Sequence, residues 1–333
     1  MSPYVTVLMP VYNTEMYLKE AIDSILNQTF RDFEFIVIND GSTDSTSDII
    51  ESYSDPRIIY LQNEKNLGVA TSLNKGLSIA KGTYIARMDG DDVSRCDRLE
   101  KQVAFMDANP EIGVCGTWLE TIGDRNEVWS PPRNHDQIIV GMLFYVNTYH
   151  PTVIIRKDTI YKLQEFYDED FQYAEDMEYW ARLAIHGVKF ANIDEVLLKY
   201  RLHETNAYKI HYEIQKKNND AVRFTYLRLL EIELSEEEML TYNILLNGNS
   251  SDRESIRKVS QLIIKIQEAN KKTKFFSKSA LSRELAQWWF RLCKNSSFND
   301  LSVWILYFKN PIALKLPIFY TLYMKVRRRF TKY

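Results

Sequence analysis

The chain has 333 residues, of which 45% are hydrophobic and 26% charged, a composition that supports a sizeable buried core and excludes a disordered chain. The formal net charge of −3 is the sum of two unlike parts: residues 271–333 carry 14 basic and two acidic side chains (+12), and residues 1–270 carry 28 basic and 43 acidic ones (−15). An acidic body with a basic, aromatic end indicates what the chain binds rather than how it folds.

Several classes of protein lose support from simple features. The three cysteines, Cys96, Cys115 and Cys293, form no CxxC pair, which argues against a disulfide framework or a structural zinc site. No signal peptide is recognisable before the first apolar run. The closest candidate for a membrane span, 303–324, is interrupted by two lysines and two prolines. We therefore expect a soluble or peripheral protein in a reducing, intracellular compartment.

The first part of the chain alternates strand and helix signals. Apolar runs at 4–9, 33–38, 58–61 and 84–88 predict four strands, and helical patterns follow the first three. This alternation is typical of an α/β fold with a mostly parallel sheet and helices on both faces. Ligands bind such sheets beyond the carboxyl ends of the strands, where three polar loops of this chain fall.

From about residue 111 the order of elements becomes mixed. The patterns predict short strands at 113–116 and 152–155, a helix from about 174 to 186, and a strand pair at 189–193 and 196–200. Beyond about residue 205 the pattern is helical. We expect one α/β domain over 1–210 and a helical accessory region with a basic, aromatic C-terminus over 211–333.

The run Asp89-Gly90-Asp91-Asp92 follows the fourth predicted strand and places three carboxylates in four residues. A hard divalent cation such as Mg²⁺ or Mn²⁺ neutralises such a cluster and commonly shares its coordination with substrate phosphates. Gly90 allows a tight turn or the close approach of a ligand. Spacing alone also permits a solvated acidic turn, so the metal site depends on the position of the run at the end of a strand.

Two loops after the first and second strands carry further candidates, Pro10-Val11-Tyr12-Asn13 and Asn39-Asp40-Gly41-Ser42. Asp40 could accept a hydrogen bond from a base or a ribose, and the same loop also reads as a turn with a helix cap. Neither loop is a GxGxxG fingerprint or a P-loop, which argues against a dinucleotide cofactor and against P-loop ATP hydrolysis.

Two later residues have two readings each. Asp176 begins the helix predicted from about 174 and shares a face with Tyr179, Trp180 and Leu183, so it is either a charge that complements the helix dipole or a general base at a pocket floor. His203 follows the last predicted strand and is either a satisfied structural histidine or a contact to a metal or diphosphate.

Taken together and in this order, the motifs resemble those of the inverting family-2 glycosyltransferases of bacterial polysaccharide biosynthesis, which have the GT-A fold. The resemblance covers about residues 4–206. The motifs that carry it are Val7-Leu8-Met9-Pro10-Val11-Tyr12-Asn13, Val37-Ile38-Asn39-Asp40-Gly41-Ser42-Thr43-Asp44, Asn66-Leu67-Gly68, Asp89-Gly90-Asp91-Asp92, Glu175-Asp176 with Trp180, and Tyr200-Arg201-Leu202-His203.

The resemblance implies a GT-A catalytic domain, a nucleotide-diphosphate sugar donor that is most often UDP-linked, and Mn²⁺ or Mg²⁺ as the metal. By this resemblance Asp40 reads the uracil, Asp89 lies near the ribose, Asp91 binds the metal, His203 contacts the metal or diphosphate, and Asp176 is the catalytic base. The donor site implied by the motifs comprises Pro10, Val11, Tyr12, Asn13, Asp40, Asn66, Gly68, Asp89 and Gly90.

The basic end, which also carries many aromatic residues, has three readings: nucleic-acid binding, attachment to an anionic membrane surface, or a helical cap whose charges are solvated. The apolar stretch 312–324, followed by the basic run 325–329, favours the membrane. We therefore expect residues 300–333 to hold the protein peripherally on the cytoplasmic face of the cell membrane, with no nucleic-acid partner.

The function predicted from the sequence is metal-assisted sugar transfer from a UDP-sugar to a glycan or a polyprenyl-diphosphate-linked acceptor. One alternative is a sugar nucleotidyltransferase, but that activity requires a Gly-rich triphosphate loop that Pro10-Val11-Tyr12-Asn13 does not supply. A second alternative is a catalytically silent scaffold that binds a membrane or a partner through its basic end.

Overall fold

A computed structural model describes residues 2–164, 166–204, 206–250, 252–296 and 301–315. The chain divides into two compact units, the first covering 1–222 and the second beginning at Arg223. The division falls inside a helix that runs from Tyr212 to Leu227, a little after the boundary predicted near residue 210. Residues 316–333, which hold most of the predicted membrane-binding end, lie outside the described residues.

The first unit is built on one sheet of nine strands in the order β3-β2-β1-β4-β8-β6-β9-β5, with β7 paired to β6. The strands are β1 (Val5–Val11), β2 (Phe33–Asn39), β3 (Ile58–Gln62), β4 (Tyr84–Arg87), β5 (Val93–Ser94), β6 (Ile112–Gly123), β7 (Val128–Trp129), β8 (Ile154–Arg156) and β9 (Lys189–Leu202). The neighbours β3, β2, β1 and β4 are all parallel, which confirms the α/β prediction for this half of the sheet.

The central strands are apolar on both faces because helices cover the sheet. Every residue of β1 and β2 is buried. Such strands read as continuous apolar runs rather than as alternating patterns. The helices of the first unit are α1 (Leu18–Leu26), α2 (Thr46–Glu51), α3 (Val69–Ile79), α4 (Arg98–Ala108), α5 (His135–Gly141), α6 (Lys157–Leu163), α7 (Glu175–Ile185) and α8 (Ala207–Ile210). Helix α9 (Tyr212–Leu227) begins in the first unit and contains the division.

The second half of the sheet differs from the prediction in one respect that matters for the site. The predicted strand pair at 189–193 and 196–200 is wrong, because these residues form the single strand β9, parallel to β6. Ile193 and Val196 lie opposite the consecutive residues Thr117 and Trp118, so 194–195 form a bulge in β9. Two acidic residues at a bulge resemble a turn in the sequence, and the strand in fact continues to the edge where ligands are expected.

The second unit is helical, with α10 (Glu236–Asn247), α11 (Arg253–Thr273), α12 (Lys278–Ser296) and α13 (Leu301–Lys309). Helix α10 begins with a capping box, in which Ser235 and Glu238 bond to each other's backbone N–H. The apolar faces predicted for α11 and α12 are buried, for example at Ile263 and Leu285. Among the described residues, no helix is both long enough and apolar enough to span a bilayer.

Candidate active site

The carboxyl ends of β1, β2 and β4 lie at one edge of the sheet. In the parallel ladder, Val11 lies opposite Asn39 and Leu8 lies opposite Arg87. The loop after β1, the loop after β2 and the acidic run after β4 therefore emerge at the same edge. This is where ligands bind in sheets of this kind.

Three carboxylates lie together at the end of β4. Asp89, Asp91 and Asp92 each present an oxygen within 4.8 Å of the other two. Nε2 of His203 lies 2.9 Å from Oδ2 of Asp91. The predicted metal ligands Asp91 and His203 are thus in contact. Asp89, which we predicted beside the ribose, and Asp92, which had no separate role, belong to the same cluster.

The short strand β5 explains how His203 reaches an aspartate 112 residues earlier in the chain. β5 follows Asp92 directly and pairs antiparallel with β9. Arg201 donates from its backbone N–H to Oδ1 of Asp92 and from Nε to the carbonyl of Asp91, both at 2.8 Å. These bonds fix the acidic loop to the end of β9, and His203 follows two residues later.

The electrostatics of this acidic cluster fit a divalent cation. Burial raises the pKa of Asp92 well above its ordinary value, and the charges of Asp91 and Asp89 raise it further. Oδ2 of Asp92 is buried and has no hydrogen-bond partner among the described residues. Clustered carboxylate oxygens are the ligands that Mg²⁺ and Mn²⁺ prefer. The donor set, with one orphaned oxygen and a surplus of negative charge, therefore suits such an ion.

Arg87 is a site residue that the sequence reasoning missed. Its side chain is buried, with 6% exposed, and its guanidinium is ion-paired with the carboxylate of Asp89. Burial raises the pKa of Asp89, and the charge of Arg87 opposes that rise. The sequence did contain a signal for Arg87, since it is a basic residue on a buried strand, two positions before an acidic run.

Asp176 lies in the first turn of α7, on the face predicted for it. Tyr179, Trp180 and Leu183 of this face are fully buried, and Nε1 of Trp180 donates to the carbonyl of Thr148 at 3.1 Å. Oδ1 of Asp176 accepts from the N–H of Met177 at 2.7 Å, so the carboxylate contributes to the start of its own helix. The other carboxylate oxygen of Asp176 can still accept a proton. The two interpretations of Asp176, as a charge at the helix start and as a general base, are therefore compatible.

Burial raises the pKa of Asp176 to about 6. Burial, together with the charge of Asp176, raises the pKa of the adjacent Glu175 to about 7. A carboxyl with a pKa close to the working pH is suited to proton transfer. These raised values distinguish the start of α7 from an ordinary solvated helix terminus.

We predict a pH dependence of turnover from the raised pKa of Asp176. A base must be ionised to accept a proton, so the rate should be constant above about pH 7 and fall about tenfold per pH unit below about pH 6. Steady-state rates between pH 5 and 8.5, with UDP affinity measured at each pH, check this. If UDP affinity falls in parallel with the rate, the pH limb reports the metal-binding carboxylates instead of Asp176.

Asp40 is buried, and its carboxylate accepts hydrogen bonds that hold the loop after β3 in place. Its Oδ1 accepts from Nδ2 of Asn63 at 2.7 Å and from the N–H of Leu67 at 2.9 Å. Its Oδ2 accepts from the N–H of Gly68 at 2.8 Å. The predicted donor residues Asp40, Asn66 and Gly68 are therefore brought together, and the reading of uracil by Asp40 stays a prediction.

The other predicted donor residues form a second group at the end of β1. Asn13 has a left-handed backbone (φ 51°), and its Oδ1 accepts from the N–H of Thr43 at 2.8 Å. Its own N–H donates to Oγ of Ser42 at 3.0 Å. A Cβ at Gly90 would lie 2.7 Å from Cγ1 of Val11, so the acidic loop needs glycine to pass this close to β1.

We predict that Asp40→Ala lowers the free energy of unfolding by about 2–3 kcal/mol, because three N–H donors lose a charged, buried acceptor. Urea unfolding measures the change. Asn66→Ala is the matched control: the Asn66 side chain also accepts from Gly68, but it is exposed, and we expect a loss of about 0.5 kcal/mol. Equal effects of the two substitutions would contradict the structural role of Asp40.

Solved structures with a similar fold are known. The chain superposes on residues 1–349 of S. aureus TarS in complex with UDP-GlcNAc with a TM-score of 0.56, at 19% identity over 84% of this chain and 91% of that one. It superposes on the mannosyltransferase PcManGT from Pyrobaculum calidifontis in complex with GDP-Man and Mn²⁺ with a TM-score of 0.54, at 16% identity over 93% and 87%. These likenesses show that the chain has the GT-A fold.

The chain belongs to glycosyl transferase family 2, whose sequence profile matches residues 6–174, just over half of the chain. One relative is the O-antigen biosynthesis glycosyltransferase WbnJ of Escherichia coli. It is 35% identical over 213 residues, which cover 62% of this chain and 82% of that protein. The resemblance drawn from the motifs is thereby confirmed, and the alternative of a sugar nucleotidyltransferase is left without support.

Proposed function

We propose that the protein transfers a sugar from a UDP-sugar to a hydroxyl of a glycan acceptor, with inversion at the anomeric carbon, a divalent metal and Asp176 as the base. The observation that carries the proposal is the contact of His203 with Asp91 inside a cluster of three carboxylates. Carboxylates and a histidine at the edge of an α/β sheet are arranged to hold an ion beside a diphosphate.

The proposed reaction is an in-line displacement. The oxygen of the acceptor hydroxyl forms a bond to the anomeric carbon as the bond from that carbon to the nucleotide diphosphate breaks. The carboxylate of Asp176 takes the hydroxyl proton, which adds about 10²–10⁴-fold to the rate. Asp91 and His203, with Asp89 or Asp92, would hold a Mg²⁺ or Mn²⁺ ion, which supplies charge stabilisation for the leaving diphosphate when bound.

The donor class is supported by the complexes of two proteins with the same fold, one with UDP-GlcNAc and one with GDP-Man and Mn²⁺. We propose the uridine nucleotide on the strength of the motif that contains Asp40, and a hexose or an N-acetylhexosamine as the sugar. The loop that Asp40 holds in place, around Leu67 and Gly68, lies after β3 at the same edge as the acidic cluster.

A donor screen tests this function. The purified protein is incubated with UDP-glucose, UDP-galactose, UDP-GlcNAc, UDP-GalNAc and GDP-mannose, with Mn²⁺, with Mg²⁺ or with EDTA, and release of nucleotide diphosphate is measured. We expect release from one UDP-sugar or a few of them, and its loss in EDTA. Release from GDP-mannose alone would overturn the uridine assignment, and release that is equal in EDTA would overturn the metal.

We further propose a lipid-linked acceptor and a peripheral position on the cytoplasmic face of the membrane, with 1–210 as the catalytic domain and 211–333 as the accessory region. A relative named for O-antigen biosynthesis supports a glycan acceptor. The net charge of +12 over 271–333 supports attraction to an anionic surface. The vesicle experiment described below tests the membrane partner.

A further inference from the structure

Two adjoining cavities lie in the C-terminal unit and involve none of the predicted site residues. The larger, of about 560 Å³, is lined by Ser277, Lys278, Ser279, Ser282, Arg283 and Lys315. The smaller, of about 370 Å³, is lined by Gln267, Asn270, Lys271, Lys274, Phe276, Lys278, Leu281 and Ser282. Lys278 and Ser282 line both, and we call the joined cavities the basic groove.

The basic groove is cationic, and none of the described residues that line it is acidic. Five of its lining side chains are basic, namely Lys271, Lys274, Lys278, Arg283 and Lys315. Within the part of the chain that the structure describes, none of these five forms an ion pair. Other basic residues of the same unit do form ion pairs: Lys258 with Glu237, and Lys265 with Glu238. The basic groove is therefore a local excess of positive charge, which attracts an anion.

Hydrogen bonds join the two sides of the turn between α11 and α12, which forms one wall of the basic groove. The buried side chain of Asn270 bonds both backbone groups of Phe276, donating to its carbonyl at 3.0 Å and accepting from its N–H at 2.9 Å. Between them, Lys274 has a left-handed backbone (φ 54°) that ends α11. Phe276 is buried, so the turn is anchored in the core while Lys271, Lys274 and Lys278 stay exposed.

The polar neighbours of these cations suit phosphate. Ser277, Ser279 and Ser282 line the larger cavity beside Lys278 and Arg283. Hydroxyls donate to phosphate oxygens, and an arginine can bind two of them at once. Ser282 is 7% exposed, and its Oγ accepts a hydrogen bond from Nε2 of Gln267 at 3.3 Å. The Ser282 hydroxyl is the acceptor in that bond, so its own proton is available for donation to a phosphate oxygen.

The same unit also exposes apolar side chains on the helix that precedes Lys315. Ile305 and Phe308 of α13 are 46% and 56% exposed and lie three residues apart, on one face of the helix. The short turn Pro311–Lys315 contacts both α12 and α13 and carries Lys315 to the groove. Cations that meet headgroups and exposed apolar side chains that enter the interface are the two components of surface binding to membranes.

We propose that the basic groove binds the phosphate groups of anionic membrane lipids and is the contact that holds the protein on the membrane. This specifies the membrane partner in the proposed function, and it does not depend on the transfer reaction. Five cations around these two cavities exceed what a single free phosphate ion needs. They match several headgroups of a lipid surface, because each basic residue near such a surface adds to the attraction.

Vesicle binding by the full chain tests the inference. The wild type, the groove variant Lys278→Gln/Arg283→Gln/Lys315→Gln and the control variant Arg228→Gln/Arg253→Gln/Lys294→Gln are sedimented with phosphatidylcholine vesicles containing 0 or about 30% phosphatidylglycerol. The control removes the same charge from exposed residues of the same unit that do not line the groove. Circular dichroism and thermal unfolding establish that both variants fold.

We expect the wild type to bind only the anionic vesicles, the groove variant to bind them on the order of a hundredfold more weakly and the control less than tenfold more weakly. Equal losses of vesicle affinity in the two variants would mean that only net charge matters and would overturn the inference. Failure of the wild type to bind anionic vesicles would also overturn it. Wild-type binding of inorganic phosphate by calorimetry without vesicle binding would also overturn it, in favour of a soluble phosphate ligand. UDP-sugar hydrolysis without vesicles should be unchanged in both variants, which separates failure of this inference from failure of the proposed function.

Discussion

Asp176→Asn is expected to lower the rate of sugar transfer by about 10²–10⁴-fold and to leave the affinity for UDP within about twofold of wild type. Asparagine keeps the shape of the side chain and can still accept a hydrogen bond from the N–H of Met177, as Oδ1 of Asp176 does at 2.7 Å. The start of α7 should therefore survive. What is lost is the ionised carboxylate that takes the proton of the acceptor hydroxyl.

The neighbouring Glu175 provides the matched control. Its pKa is raised to about 7, so a large fraction of it is protonated near neutral pH, and it lies 4.0 Å from Nδ1 of the buried His150, which suits it to a structural role. Glutamine mimics a neutral glutamate, and we expect Glu175→Gln to lose less than tenfold in rate. Transfer with saturating donor and acceptor, and UDP binding by calorimetry, measure both variants. A larger loss for Glu175→Gln than for Asp176→Asn would move the base to Glu175.

Much of the site was predictable because it depends on where strands end. The apolar runs before Pro10, Asn39 and Asp89 identify three parallel strands, and parallel strands deliver their carboxyl ends to one edge. The face of α7 was also predictable, since helical periodicity places Asp176 with Trp180. These features are local in sequence, so that residue patterns are sufficient to find them.

The contacts that complete the site were not predictable from local pattern. His203 meets Asp91 because two-residue β5 pairs with β9, and no propensity signals a strand as short as Val93–Ser94. The bulge at 194–195 made the single strand β9 resemble two strands in the sequence, and it is the continuous strand that places His203 at the site. Arg87 was interpreted only as part of a strand, because its pairing with Asp89 depends on the burial of the Arg87 guanidinium. Each of these contacts joins residues through tertiary structure rather than through spacing.

The second large effect is expected at the metal cluster. Asp91→Ala should weaken Mn²⁺-dependent binding of UDP by about a hundredfold or more, because it removes a charged ligand and the partner of His203 at the same time. A second readout is the shift in melting temperature on addition of Mn²⁺. An ion that binds only the folded chain stabilises it in proportion to the logarithm of its concentration over Kd, so the shift should disappear in the variant.

Glu51→Ala, which removes one negative charge from an exposed position at the end of α2, is the control and should keep both the affinity and the shift. His203→Ala should lose less than Asp91→Ala, because a neutral ligand is removed and the carboxylates that attract the ion remain. This ranking separates a metal site from a structural pair: if Asp91 and His203 only braced each other, either substitution would lower stability by a similar amount without added metal. Mn²⁺-dependent UDP binding by Asp91→Ala within twofold of wild type would remove Asp91 from the metal site.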